Sequence, residues 1–342
     1  MFTAIAAVST EDELFVLGTS FGEVKCVRYM ASVGGNSHFK HITFDENAAD
    51  WEVAATAYSI SCLHVHGSMV VLGDGNGTVV LLEVATGMEM RRYEMEAAVV
   101  SATWHGGTFV LGDLVGNVMG VDEYNVRWTK RMDIGIPSNI MTMDSVSTAA
   151  YVAALASVRL LDCADQICSY VAVSLGRPEL LLTHYGHVVA TVPAPSRITC
   201  VWSSSDQEAK ASETLESTVF CGSDNGVVYK LTTLKTAEGV YSIQLHPIVE
   251  VGFRVTKIVS SAWRQEGKDV GSSNFAVVCG TTSTELVEFD VVKFRHEKHE
   301  PSMSSTPIDV ACVRGHIFVL YDTSICVVDA VLAAASAVGF AA

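Results

Sequence analysis

Short apolar runs that end in glycine recur along the chain. Four of the five glycines are followed four residues later by a second one, at Gly22, Gly77, Gly116 and Gly226. An apolar run, a glycine-rich turn and another apolar run predict a β-hairpin. The five runs are Leu14-Phe15-Val16-Leu17-Gly18, Val70-Val71-Leu72-Gly73, Phe109-Val110-Leu111-Gly112, Val219-Phe220-Cys221-Gly222 and Val277-Val278-Cys279-Gly280.

The similarity extends beyond the turn. A strand-like run precedes most hairpins through a short His or Gly turn, as at His66-Gly67, and a fourth run often follows, as at residues 88–93. The repeating unit is therefore four antiparallel strands in about 40 residues. The third run ends ten residues after the first glycine, usually in an acidic residue, at Val27-Arg28, Leu82-Glu83, Val121-Asp122, Leu231-Thr232 and Phe289-Asp290, and two diverged units end at Leu160-Leu161-Asp162 and Val327-Val328-Asp329.

Units of this length, with short strands, fit the blades of a β-propeller around a central axis. In blade length, strand pattern and the acidic residue that ends the third strand, the chain resembles the WD-repeat family over nearly all of its 342 residues. The resemblance implies an all-β fold, a single β-propeller of four-stranded antiparallel blades over residues 1–342. The chain departs from the family at the tryptophan before the acidic residue. Trp202 is the one candidate for that position, and the other units have Leu82, Val121, Leu161, Phe289 and Val328.

The number of blades follows less directly. Hairpins are predicted to begin near residues 14, 69, 109, 149, 187, 218, 275 and 316, which would give eight blades. Residues 179–245, however, offer about six strands where two blades need eight. We therefore expect seven blades and keep eight as the alternative. Residues 2–8 are predicted to be the first strand, and residues 336–341 either the outer strand of the last blade or part of a helical cap.

Charge and composition restrict the partners. Lys and Arg number 22 against 38 Asp and Glu, and the formal charge of −16 repels phosphate backbones, so we expect no direct binding of nucleic acid. No apolar segment reaches the roughly 20 residues of a spanning helix, so no membrane insertion is expected. The N-terminus lacks the basic start of a secretory signal, and the odd number of cysteines, 9, suggests reduced thiols. These features predict an intracellular protein, cytoplasmic or nuclear.

Three local motifs could have a chemical role. Gly18-Thr19-Ser20-Phe21-Gly22 has the spacing of a hydrolase nucleophile elbow, but its glycines coincide with those of the repeat. Asp74-Gly75-Asn76-Gly77 is too short for a calcium loop, and His296 and His299 would need two further ligands to hold zinc. We therefore expect ordinary turns and a charged loop, with no catalytic residue, no metal and no cofactor.

Four segments depart from the repeat length, at residues 30–50, 203–217, 264–273 and 293–306. Loops added to a rigid scaffold are common contact sites. Two of these segments have opposite charge, and their charged residues are the candidate partner-binding residues. These are Asp206, Glu208, Glu213 and Glu216 in the acidic segment and Lys293, Arg295 and Lys298 in the basic segment.

Two functions remain open from the sequence. The first is a non-catalytic protein–protein interaction scaffold, one subunit of an intracellular multiprotein complex, because the chain has no recognisable reactive constellation. The alternative is a propeller enzyme or a small-ligand-binding protein with a site in the central channel.

Overall fold

The strands of the chain form four-stranded antiparallel sheets. The computed structural model describes residues 1–9, 14–28, 39–42, 49–132, 151–161, 166–204, 217–235, 241–262, 274–280, 284–289, 294–299, 307–313, 316–321 and 325–329. Within these residues the regular elements are 28 β-strands in seven sheets, and there is no α-helix. The all-β fold is therefore confirmed, and it takes the expected seven-bladed form.

The first four blades contain the N-terminal half of the chain. Blade 1 comprises β1 (Phe2–Ser9), β2 (Leu14–Thr19), β3 (Glu23–Arg28) and β5 (Ala49–Ala54). Blade 2 comprises β6 (Ile60–His66), β7 (Met69–Asp74), β8 (Thr78–Glu83) and β9 (Glu89–Glu94). Blade 3 comprises β10 (Val99–His105), β11 (Thr108–Asp113), β12 (Asn117–Val121) and β13 (Val126–Arg131). Blade 4 comprises β14 (Ala154–Leu161), β15 (Ile167–Ser174), β16 (Glu179–His184) and β17 (His187–Pro193).

The last three blades complete the ring. Blade 5 comprises β18 (Ile198–Ser203), β19 (Val219–Ser223), β20 (Val227–Lys235) and β21 (Tyr241–Glu250). Blade 6 comprises β22 (Val255–Ala262), β23 (Asn274–Gly280), β24 (Thr284–Phe289) and β25 (Phe294–His299). Blade 7 comprises β26 (Asp309–Val313), β27 (His316–Leu320), β28 (Ile325–Asp329) and β4 (Phe39–Ile42).

The blades surround a central channel. The first strand of each blade contacts the first strand of the next, and β26 contacts β1, so the ring is closed. The outer strand of blade 7 is β4, which belongs to the N-terminal part of the chain and pairs with β28. This position was one of two alternatives for residues 336–341, and it is wrong because residues 39–42 occupy it. Residues 336–341 lie outside the described residues, so the alternative of a helical cap stays a prediction. The segment at residues 30–50 therefore contributes to closure of the ring.

The hydrophobic core lies between neighbouring blades. Both faces of the central strands are covered, so β7 and β8 are buried at nearly every position. One cluster joins Val16 and Val24 of blade 1 to Ile60, Leu72 and Val80 of blade 2, and similar clusters join the following blades. Strands that are buried on both faces read as continuous apolar runs, which is the pattern of the sequence.

The two glycines of the repeat have different structural roles. A Cβ added to Gly73 would lie 2.4 Å from Cβ of Val99, so this glycine allows the next blade to pack closely. Gly77 has a φ of 98°, and an added Cβ would lie 2.5 Å from the carbonyl oxygen of Met95. The turn between them is capped by Asp74, whose Oδ1 accepts hydrogen bonds from the amides of Asn76 and Thr78, both at 2.8 Å.

Blade 4 does not follow the strand order that we expected from the sequence. Leu160-Leu161, taken as the end of a third strand, ends the innermost strand β14, and the hairpin expected near residue 187 is the outer strand β17. The six strands between residues 179 and 245 are therefore the last two of blade 4 and all four of blade 5. Trp202 lies on the first strand of blade 5, so it does not occupy the family's tryptophan position.

Candidate protein interaction surface

The structure places only some of the predicted partner-binding residues. Asp206, Glu208, Glu213, Glu216 and Lys293 lie outside the described residues. Arg295 and Lys298 lie on β25, the outer strand of blade 6. The expectation that residues 293–306 form an added loop is therefore wrong for residues 294–299.

Strand β25 places part of the predicted basic segment in a sheet. Arg295 is paired in register with Glu288, and Lys298 with Glu285, on the neighbouring strand β24. His296 and His299 lie on the same strand. Elsewhere in the described part of the chain, no group of three or more His, Cys, Asp or Glu side chains could hold a metal ion.

The outer strands of the seven blades differ in charge. Charged side chains on an outer strand hinder its pairing with another chain. Strand β17, with the sequence His187-Val188-Val189-Ala190-Thr191-Val192-Pro193, contains no Asp, Glu, Lys or Arg. The other six outer strands contain at least one such residue, namely Asp50 and Glu52 in β5, Glu89, Arg91, Arg92 and Glu94 in β9, Arg127, Lys130 and Arg131 in β13, Glu250 in β21, Arg295, Glu297 and Lys298 in β25, and Lys40 in β4.

Blades 3 and 4 expose apolar side chains near these strands. Tyr124 is 67% exposed and Val126 is 43% exposed at the start of β13. Tyr185, in the turn before β17, and Val188 and Val189, on β17, are also about half exposed. We call these five residues, which are distributed over the outer strands of blades 3 and 4 and the turns before them, the blade 3–4 apolar patch. Exposed apolar side chains of this kind are available for contact with another protein.

A shallow groove follows β17 at its C-terminal end. It has a volume of about 390 Å³ and lies between the outer strands of blades 4 and 5. Six of the seven lining residues are apolar, but polar atoms form nearly half of the lining surface, so the groove is a shallow recess without strong apolar character. The lining consists of Val192, Pro193, Ala194 and Pro195 from blade 4 and Ile243, Gln244 and Leu245 from blade 5.

Basic residues lie beside the N-terminal end of β17. Arg127, Lys130 and Arg131 are exposed on β13, which contains no acidic residue. Strand β13 contacts the turn before β17, because a Cβ added to Gly186 would lie 2.6 Å from Cγ of Lys130. Arg127 forms an ion pair with Asp122. In a chain with a net charge of −16, this stretch of β13 is locally positive.

A His–Ser pair that resembles part of a catalytic site lies between the first strands of blades 3 and 4. His105 Nδ1 lies 3.0 Å from Ser157 Oγ, and both residues are buried. Burial lowers the pKa of His105 to about 4, with a smaller contribution from His184. A general base works best with a pKa near the working pH, so this imidazole is a weak base at neutral pH. The pair instead connects β10 of blade 3 to β14 of blade 4.

A second polar group, also on first strands, connects three blades. Lys257 Nζ of blade 6 lies 3.0 Å from Asp309 Oδ1 of blade 7, and the amide of Ile5 in blade 1 donates a 3.1 Å hydrogen bond to Asp309 Oδ2. Asp309 raises the pKa of Lys257, which keeps the ion pair charged. Burial raises the pKa of the Cys62 and Cys200 thiols, on the first strands of blades 2 and 5, to about 12, so neither is a reactive thiolate.

The serine of the hydrolase-like motif lies in a hairpin turn. Thr19 Oγ1 accepts hydrogen bonds from the amides of Phe21 and Glu23, and the amide of Ser20 donates to the carbonyl of Met1. The turn connects two strands, whereas a nucleophile elbow connects a strand to a helix. The expectation of ordinary turn chemistry is confirmed at this motif.

The fold has known relatives among solved structures. The crystal structure of the Cps50 (Swd1) β-propeller domain from Myceliophteria thermophila matches with a TM-score of 0.65 and 12% sequence identity, over 95% of each chain. In total, 1225 chains of solved structures match, so the similarity identifies a widely shared fold and no particular function. No protein-family model and no curated protein matches the sequence. The chain is a β-propeller, and its similarity to the WD-repeat family stays a prediction.

The structure contains no helix that could span a bilayer, as far as its described residues extend. The blade 3–4 apolar patch has no direct signal in the sequence, because exposure on an outer strand depends on the position of that strand in the ring. Assigning residue 187 to a second strand placed Val188 and Val189 inside a sheet. The absence of charged residues in residues 187–193 is visible in the sequence, but it indicates an edge open to pairing only when this segment is known to be an outer strand.

Proposed function

We propose that this protein is a non-catalytic scaffold for protein–protein interactions and one subunit of an intracellular multiprotein complex. The observation that carries the proposal is the blade 3–4 apolar patch, in which five large apolar side chains lie exposed on the rim of a rigid ring. Burying such a patch against a partner removes apolar surface from water, worth about 25 cal/mol per Å².

The channel supports this proposal over a catalytic site. Two of the described polar groups on the first strands, His105–Ser157 and Lys257–Asp309–Ile5, are engaged in contacts between blades. The base of the first pair is weak, and the nearby thiols are protonated. An intracellular location is supported by the cysteines whose state the structure describes, because Cys26, Cys62, Cys168, Cys200 and Cys221 are all free.

The test is purification of the tagged full-length protein from its own cells, followed by mass spectrometry. We expect partners in stoichiometric amounts. The Tyr124→Ser/Tyr185→Ser variant should lose at least one of them while its thermal unfolding temperature stays unchanged. A matched control is Tyr58→Ser, since Tyr58 is 51% exposed but lies in the linker between blades 1 and 2.

Recovery of a solitary monomer would contradict the scaffold function and favour the alternative with a channel site. Retention of all partners by the Tyr124→Ser/Tyr185→Ser variant would contradict the assignment to this patch. The control variant separates the patch from a general effect of removing exposed tyrosines.

A further inference from the structure

Strand β17 is an edge strand that contains no charged residue, and its interruptions are a β-bulge at Val188–Ala190 and Pro193 at its last position. In the described part of the chain it pairs only with β16, so the backbone N–H and C=O groups on its other side face outward. Val188 and Val189 are 45% and 52% exposed on this strand. Its sequence is also rich in β-branched residues, which favour strand pairing. The edge of blade 4 is therefore suited to accept another strand.

The ends of β17 define which strand it would accept. At the C-terminal end, the shallow groove between Val192–Pro195 and Ile243–Leu245 leaves space for one side chain of an added strand. At the N-terminal end, Lys130 lies against Gly186 and provides a positive charge. The middle of β17 offers neither a charge nor a buried polar partner. An uncharged centre with acidic residues beside it is the complementary sequence.

We propose that an extended segment of a partner protein binds to β17 as a fifth strand of blade 4. The segment has alternating β-branched residues at its centre and acidic residues at its end near Lys130. Main-chain hydrogen bonds to β17 provide affinity, and the groove and Lys130 provide specificity. This inference rests on the proposed scaffold function and assigns one of its contacts.

Charge favours a different protein over a second copy of this chain as the occupant. Two copies would each bring a net charge of −16 to the contact, and self-repulsion of this kind opposes association. Pairing of β17 with itself would also leave the positive residues of β13 without an acidic partner from the other copy, because β17 contains none.

The test measures binding of fluorescent nine-residue peptides to the full-length protein by anisotropy. Three probes share the centre Val-Thr-Val-Thr-Val and have two flanking residues at each end, which are Glu, Ser or Lys. We expect the Glu-flanked peptide to bind best and the Lys-flanked peptide worst. Raised salt should weaken the Glu-flanked peptide more than the Ser-flanked one, because only the former is attracted by β13.

Backbone methylation distinguishes strand addition from apolar adhesion. Alternate amides of a strand point to opposite edges, so methylating one alternate set blocks one edge of the peptide and methylating both sets blocks both edges. We expect the Glu-flanked peptide with both sets methylated to lose binding. Undiminished binding of that peptide would contradict strand addition.

Variants locate the site. Val188→Asp/Val189→Asp should weaken the Glu-flanked peptide at least about tenfold, and Lys130→Glu should remove its advantage over the Ser-flanked peptide. The matched control is Leu234→Asp, because Leu234 is 43% exposed on β20, an inner strand of blade 5. Circular dichroism and thermal unfolding establish that each variant is folded.

Three results would overturn the inference. The first is no peptide binding up to about 1 mM, which corresponds to about −4 kcal/mol. The second is peptide binding that the Val188→Asp/Val189→Asp variant leaves unchanged. The third is a dimer of the wild type in light scattering that becomes a monomer in this variant, which would identify a second copy as the occupant. Purification of the Val188→Asp/Val189→Asp variant from cells distinguishes a failure of this inference from a failure of the scaffold function. If it retains its stoichiometric partners, the scaffold function stands and the β17 site does not.

Discussion

Gly77 and Gly67 both have a positive φ, but their surroundings differ. At Gly77 an added Cβ would lie 2.5 Å from the backbone oxygen of Met95, whereas at Gly67 it would meet no atom within 4 Å. Gly75, in the same turn as Gly77, has neither constraint, because its nearest neighbour would be 3.8 Å away. The three glycines therefore separate the cost of backbone conformation from the cost of a steric clash.

We expect Gly67→Ala to lower the free energy of unfolding by about 1 kcal/mol, the cost of a left-handed L-residue. Gly77→Ala should lower it by more than about 2 kcal/mol, because a backbone atom must also move. Gly75→Ala should change it by less than about 0.5 kcal/mol. Urea denaturation measures all three. Equal effects at Gly67 and Gly77 would show that the backbone at Met95 moves away from the added Cβ without a cost in free energy.

His105 makes stability depend on pH in the acid range. Burial lowers its pKa to about 4 in the folded protein, while an unfolded histidine titrates near 6.5. The unfolded chain therefore binds the proton first, so the contribution is fully present above pH 6.5 and decreases as the pH falls towards 4. At about 1.4 kcal/mol per unit, the decrease approaches roughly 3 kcal/mol.

The His105→Gln variant measures this contribution. Glutamine retains hydrogen-bonding capacity towards Ser157 but does not titrate. We expect the free energy of unfolding of the wild type to fall more steeply than that of the variant between pH 6.5 and 4, and both to have similar slopes above pH 7. Parallel curves throughout would mean that His105 is protonated as readily in the folded as in the unfolded protein.

At the scale of the strands, the sequence predicted what is encoded locally. The hairpins at Gly18 and Gly73 were found because their turns need glycine at fixed spacing. Blade 4 was misassigned because its second and third strands are joined by Leu175-Gly176-Arg177-Pro178, which lacks the second glycine. The apolar end of β14 then imitated the end of a third strand. One diverged turn was enough to shift the interpretation of a whole blade.

The outer strand of blade 7 had no local signal in the sequence. Phe39 pairs with Val328 and Ile42 with Ile325, so residues almost a whole chain length apart form one sheet. Hydrophobic periodicity shows that a segment can be a strand but not which blade it joins. The same reason hid the edge position of β17, on which the candidate site depends.

Replacing residues 39–42 by a Gly-Ser sequence of equal length should expose the edge of β28. We expect the amides of Ile325–Val328 that face β4 to lose at least about tenfold of their protection from hydrogen exchange, since their hydrogen bonds are lost when β4 is removed. The amides of β12 in blade 3 are the internal control and should change little. Full protection of β28 after the replacement would mean that another segment, such as residues 336–341, can take this position.

At the scale of the whole molecule, the ring is closed between blades 7 and 1 in two places, one at its outer side and one near the central channel. Strand β4 closes it on the outside, and Asp309 closes it at the channel through its bonds to Ile5 and Lys257. A ring of blades that each contact only their neighbours depends on such a closure, because the first and last blades would otherwise expose their apolar faces. Asp309 links three consecutive blades with one carboxylate.

The two bonds of Asp309 can be measured separately. Asp309→Asn keeps an oxygen for the amide of Ile5 but removes the charge opposite Lys257, and this step should cost less than about 1 kcal/mol because the Lys257 side chain is 43% exposed. Asp309→Ala removes both bonds and should cost about 2–3 kcal/mol, since the Ile5 amide loses a charged acceptor. Urea denaturation gives both values, and raised salt should reduce the first more than the second. In a Lys257→Met background the Asn step should vanish while the Ala step persists. If Asp309→Ala costs no more than Asp309→Asn, the bond to Ile5 does not contribute to ring closure, and β4 with the apolar contacts between blades 7 and 1 carries it.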